Sequence, residues 1–246
     1  LANGYRLDSR MPPGEETAAY HWNSQLAMVR DTPRVNVDLH WQMLPSLFPC
    51  ASYFDTVWNR LRIARFEDHE ILALSDIDLL LYLCAHGARH GWKDLRLSAD
   101  LGRLIHLRAD LDWDQLIRSS RQAGGERVLA LGLQMVNRLI GVEYPANVAE
   151  FVQATMRDQQ FARRLEENVL IEVPDGDETL AAFRLQFRLA SGIAAKLRCA
   201  LGFSLLPTEA DASSLPLPPA LFFLYYAYRP ARLALKYGAM VLRGRA

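Results

Sequence analysis

Two groups of residues in this sequence have types and spacing that could do chemistry. The first is Asp38 and His40, two positions apart in the run RVNVDLHW, residues 34–41. A carboxylate can hold a hard cation or take a proton, and a neighbouring imidazole can orient it or touch a phosphate. On the residues alone, an exposed Asp on a solvated sheet face is the stronger reading for Asp38. His40 reads equally well as a histidine hydrogen-bonded to a backbone carbonyl. The second group is His86, Arg89, His90 and Lys93 in AHGARHGWK. Histidines at i and i+4 project from one side of a helix and can share a transition metal. A zinc-protease motif needs Glu directly after the first His, but Gly87 stands there. Asp100 on the following helix could complete such a site. The plainer reading is a polar cluster in which Asp100 accepts from His90 or Arg103 and ties two helices together. Arg89 and Lys93 are the better candidates for a phosphate, and His86 and His90 could join them.

The elements that carry these residues follow from periodicity. In RVNVDLHW, Val35, Val37, Leu39 and Trp41 alternate with Asn36, Asp38 and His40, the signature of a strand with one core face and one polar face. Gln25–Arg30 is a second strand, joined to it through Asp31-Thr32-Pro33 as a hairpin. A short helix is expected over Asp55–Arg60, and a second hairpin from Leu61–Phe66 and Glu70–Leu74. From Ser75 the chain reads as helical. Ser75 with Asp78 three residues on is a capping-box-like start, and LLLYLCAHGARHG is apolar enough to be central. Its polar members Tyr82, His86, Arg89, His90 and Lys93 form one stripe. Further helices are expected at Leu95–Leu107, Trp113–Gln122, Glu126–Ile140, within Val148–Asn168, as one long element from about Glu178 to Leu201, and from Pro219 onward. Pro207–Pro219 reads as a loop. The fold class is α+β, predominantly α, divided at about residue 74: 1–74 carries the strands and 75–246 the helical domain.

Composition narrows the function. The 246 residues are 50% hydrophobic and 23% charged, an ordinary globular balance. Lys plus Arg and Asp plus Glu both number 28, which argues against general nucleic-acid binding. Cys50, Cys84 and Cys199 are widely spaced and form no CxxC pair, as expected of a reducing cytoplasm. No run approaches the roughly 18 apolar residues of a membrane span. The C-terminal segment 219–246 is basic and aromatic, with Arg229, Arg232, Lys236, Arg243 and Arg245 and no acidic residue after Asp211. Packing against its own domain is the preferred reading, and peripheral membrane contact through 219–246 is the alternative.

VDLHW, then LLLYLCAHGARHGWKDLRLSADLGRLI, then Tyr228-Arg229-Pro230-Ala231-Arg232-Leu233, in that order over nearly the whole chain, resemble the uncharacterised nucleotidyltransferase family of bacteria. That family belongs to the DNA-polymerase-β-like nucleotidyltransferase superfamily. The resemblance implies part of an α/β nucleotidyltransferase sheet at the N-terminus, and transfer of a nucleotidyl group from an NTP, with Mg²⁺, to an unknown acceptor in exopolysaccharide or peptide natural-product biosynthesis. It further implies that Asp38 is the third metal carboxylate or the general base, with His40 beside it. The superfamily's Gly-Ser turn and strand-borne Asp-x-Asp pair are not found here. Asp76-Ile77-Asp78 is set aside as a helix N-terminus, because no Gly precedes it after Arg34. With the missing initiator Met, the expectation is a fragment with little or no activity alone. Two other readings stand beside transfer: a non-catalytic helical binding module, and a metal-dependent hydrolase built on His86, His90 and Asp100.

Overall fold

The computed structural model describes residues 4–7, 25–45, 47–156, 163 and 178–243. The fold is α+β and predominantly α, as the periodicities require. The chain forms two compact units, one from 1–45 with 200–246 and the other from 46–199. Residue 74, the expected boundary, lies within the second.

The first unit opens with an antiparallel sheet of β1 (Arg6–Leu7), β2 (Gln25–Asp31) and β3 (Arg34–His40), in that order. Thr32 and Pro33 make the expected hairpin between β2 and β3. Ala27 pairs with Asp38, Gln25 with His40, and Met28 with Val37. Directly paired residues share a face, so Asp38 and His40 do lie together, with Val29 and Asn36 on the same side. The expected core face is corrected. Val37 is 38% and Leu39 54% exposed, whereas Val29, on the Asp38 side, is buried. A sheet face becomes core only when another layer covers it, and the exposure of Val37 and Leu39 shows no such cover.

In the second unit, α1 (Ala51–Phe54) and a 3₁₀ turn (Val57–Arg60) replace the single helix expected over Asp55–Arg60. The second hairpin is present as β4 (Arg62–Phe66) and β5 (His69–Ala73). Then come α2 (Asp76–Arg89), α3 (Leu95–Leu107), α4 (Trp113–Gln122), α5 (Glu126–Ile140), α6 (Ala146–Thr155) and α7 (Glu178–Leu189). The part of the expected Val148–Asn168 helix beyond Met156 lies outside the described residues, apart from Arg163.

Helix α5 is the axis of this unit, with every residue from Val128 to Val136 buried. Burying a Leu stabilises by about 1.5–3 kcal/mol, so Leu129, Leu131 and Leu133, all fully buried, make α5 a principal anchor. Its approach to α2 needs Gly132: a Cβ there would lie 2.4 Å from the Cys84 Sγ.

The long helix expected over Glu178–Leu201 is two helices. Gly192 at φ +81° breaks it, and α8 (Gly192–Leu205) follows. That backbone angle suits glycine, and it ends α-helical continuity. The expected Pro207–Pro219 loop contains α9 (Glu209–Ser214), started by a capping box between Thr208 and Asp211. A 3₁₀ turn (Pro219–Leu224) leads into α10 (Tyr225–Arg243).

Candidate functional site

Asp38 sits mid-strand in β3, opposite Ala27, with its side chain open to solvent. His40 is two residues on, opposite Gln25, and also exposed. At a strand rise of about 3.4 Å per residue their Cα atoms stand roughly 7 Å apart. A carboxylate and an imidazole therefore share one accessible face with the small Ala27 between strands. Asp31 lies on that face too, at the far end of the hairpin, where Arg6 holds it through hydrogen bonds of 3.0 and 3.1 Å.

The second predicted group belongs to the other unit and forms a ring ladder. Tyr82 stacks on His86 with centroids 5.6 Å apart, and His86 meets His90 at 4.6 Å. Phe54 closes the inner end, 6.0 Å from Tyr82. Burial, aided by the charge of Arg89, holds His90 below its ordinary imidazole pKa and so favours the neutral ring. Lys93 departs from the expected helical stripe. Helix α2 ends at Arg89, and Gly91 at φ +64° with Trp92 at φ +54° turns the chain away. The Trp92 ring folds back onto Gly87, where a Cβ would come within 2.6 Å of it.

The polar cluster expected around Asp100 does not form. Asp100 is exposed on α3, and its charge acts on Arg96 one turn earlier. Nor does the hydrolase reading assemble: among the described residues no three His, Cys, Asp or Glu side chains are placed to hold a metal ion. The described Cys50, Cys84 and Cys199 are all free thiols.

Asp76 and Asp78 occupy the first turn of α2, as expected of a helix N-terminus. The sequence reading missed how deeply Asp78 is engaged. It is 1% exposed and accepts from Tyr53 Oη at 2.8 Å, Ser75 Oγ at 2.7 Å and Arg60 Nη2 at 2.9 Å. Burial pulls its carboxyl pKa up, but the hydrogen bonds from Arg60, Ser75 and Tyr53 outweigh that and hold it below 3.8. A comparable hub lies in the first unit. Asp211, fully buried, accepts from Arg229 Nη1 at 2.7 Å and Arg232 Nε at 2.6 Å. Arg229 also donates to the Phe203 carbonyl and the Thr208 hydroxyl, both at 2.9 Å. The one signal that could have found this hub is the Thr208-x-x-Asp211 capping spacing before a helix.

Buried, fully partnered carboxylates are structural; an exposed one on a strand is available for chemistry. By fold and site the molecule is thus an α+β protein, predominantly helical, that offers a strand-borne carboxylate to solvent. The model of a family described as uncharacterised nucleotidyltransferase matches residues 1–141, more than half of the sequence, and the chain belongs to that family. The match takes in β1–β3 and ends after α5, so Tyr228–Leu233, part of the original resemblance, lies beyond it. No curated protein and no solved structure matches the chain.

Proposed function

We propose that the chain serves nucleotidyl transfer from an NTP to an acceptor hydroxyl, with Asp38 as the carboxylate it contributes to the metal centre. The observation that carries this is the position of Asp38: exposed, mid-strand and free of the partners that occupy Asp78 and Asp211, within the span matched by a nucleotidyltransferase family. A divalent ion, Mg²⁺ in this proposal, neutralises the triphosphate and readies the attacking hydroxyl when bound. Such an ion takes one or two carboxylates together with substrate phosphates. The described residues offer Asp38 and no second carboxylate grouped with it, so they do not make a complete centre.

The roles of this chain's own residues are therefore to hold, to orient and to take a proton. Asp38 would hold the divalent ion or receive the acceptor's proton. His40, on the same face, orients Asp38 or contacts a phosphate. Taken by itself, the end of α2 offers a nucleotide Arg89 and Lys93 as cationic donors for its phosphates and His86 and His90 as contacts. A partly buried neutral ring such as His90 suits stacking or hydrogen bonding better than ion pairing. The acceptor is a small molecule, glycan or peptide in exopolysaccharide or peptide natural-product biosynthesis, in the bacterial cytoplasm. Among the described residues no helix is long and apolar enough to cross a membrane.

Titration with Mg²⁺ and ATP tests the residue assignments. Arg89→Ala and Lys93→Ala are each expected to weaken ATP binding about threefold to tenfold, as loss of a charge-assisted contact does. Undiminished binding in both variants would remove the helix-end group from nucleotide binding. Transfer from radiolabelled NTPs by this chain alone is expected to be slight, because its described residues present one of three carboxylates. Robust Mg²⁺-dependent transfer would contradict that assignment.

A further inference from the structure

The first turn of α2 carries two carboxylates, and arginines use them differently. Asp78 takes Arg60, whose guanidinium is spent. Its Nε and Nη2 donate to Asp78, its Nη1 to the Thr56 hydroxyl, and Nη2 also to the Tyr53 carbonyl. Asp76 takes two arginines, one on each oxygen. Arg62 of β4 donates from Nη2 to Oδ1 at 2.7 Å. Arg108, just past the end of α3, sets its Nε 2.9 Å from Oδ2. One carboxylate thus draws cations from two distant segments to one place, and the trio keeps a positive charge in excess.

Those two guanidiniums are far from saturated. An arginine has five N–H donors. Besides the bond to Asp76, Arg62 spends one, from Nε to the Leu74 carbonyl at 2.9 Å. The Arg108 side chain spends none among the described residues: its Nε is buried and close to Asp76, yet makes no hydrogen bond. Native structures rarely leave a buried donor without an acceptor. The two side chains are 42% and 38% exposed, so a ligand can reach them from solvent. Neighbouring acids do not cancel the excess charge. Asp78 is taken by Arg60, and Asp112 caps α4 through the Gln115 N–H. Asp110, two residues after Arg108, points to solvent.

We propose that Arg62 and Arg108, held together by Asp76, form a binding site for the phosphate group of a soluble phosphomonoester. A tetrahedral dianion presents several oxygens and accepts from both guanidiniums at once, whereas a planar carboxylate is filled by a single fork. The surrounding charge favours a soluble ester over a lipid headgroup. Glu67, Asp68 and Glu70 outnumber Arg65 on the rest of the exposed hairpin, and an anionic bilayer would meet them. The site lies at the opposite end of α2 from His86 and Arg89, roughly 15–20 Å away at the helical rise of about 1.5 Å per residue. It stands apart from the nucleotidyl-transfer reading, because it uses none of that reading's residues.

NMR of the arginine Nε–Hε resonances of the 246-residue chain, titrated with glycerol 3-phosphate, tests it. Saturable shifts at Arg62 and Arg108 are expected. Arg108→Gln should weaken binding about tenfold and Arg62→Gln about fivefold. Arg108→Lys keeps the charge but loses the fork, and should fall between the parent and Arg108→Gln. Thermal unfolding checks the fold of each variant, and the titration of the parent chain stands whatever their stability. Three results would overturn the proposal: no saturable shift at either arginine, undiminished binding in both glutamine variants, or binding to vesicles carrying phosphatidic acid without binding to glycerol 3-phosphate.

Discussion

Asp38 on strand β3 and Asp78 at the start of α2 are carboxylates of opposite circumstance. Asp38 is open to solvent, in a sheet whose Leu39 is 54% exposed. Asp78 is 1% exposed and bound by a tyrosine, a serine and an arginine. Both belong to motifs that suggest a metal carboxylate. The difference teaches that a carboxylate already saturated with donors fixes the fold, and that one left without them can serve a substrate.

The largest expected effect extends the structural side of this contrast to Asp211. Asp211→Ala leaves Arg229, whose side chain is 4% exposed, buried without its counter-charge. Loss of about 3–5 kcal/mol is expected in denaturant unfolding, and a loss under 1 kcal/mol would mean that the hub is slack. Asp78→Ala should cost less, about 2–3 kcal/mol, because Arg60 is 35% exposed and can recover water.

Acid sharpens the comparison next. The carboxyls of Asp78 and Asp211 are both held below 3.8. Their stabilisation is therefore complete above that value and is lost as pH falls through the depressed values. Stability measured from pH 5 downward should drop below about pH 3.8. Asp78→Asn should flatten that drop. The smallest effect is on neutral-pH stability itself, where Asp38→Asn should lie within about 0.5 kcal/mol of the parent. A larger loss would place Asp38 among the structural carboxylates.

Much of this organisation was legible in the sequence where the signal is local. Leu95–Leu107, Trp113–Gln122 and Glu126–Ile140 fold as their apolar spacing dictates. Period-two alternation put Asp38 and His40 on one face, and the Ser75–Asp78 spacing marked the start of α2. What depended on distant partners was not legible. Besides Ser75, the partners of Asp78 lie 25 and 18 residues earlier, at Tyr53 and Arg60, and no spacing rule connects them. The exposure of Val37 and Leu39 likewise depends on whether a second layer covers them, which alternation alone cannot tell. Gly192 was visible as a glycine, but only its backbone angle made it a break rather than a tolerated helix residue.

The central claim is that Asp38 is a metal carboxylate of nucleotidyl transfer, and backbone NMR during a Mg²⁺ titration in the presence of ATP tests it most directly. Saturable shifts centred on Asp38 and His40, lost in Asp38→Asn while the rest of the spectrum is unchanged, are the predicted result. An identical Mg²⁺ response in Asp38→Asn, or shifts centred on the Asp76–Asp78 turn, would contradict it.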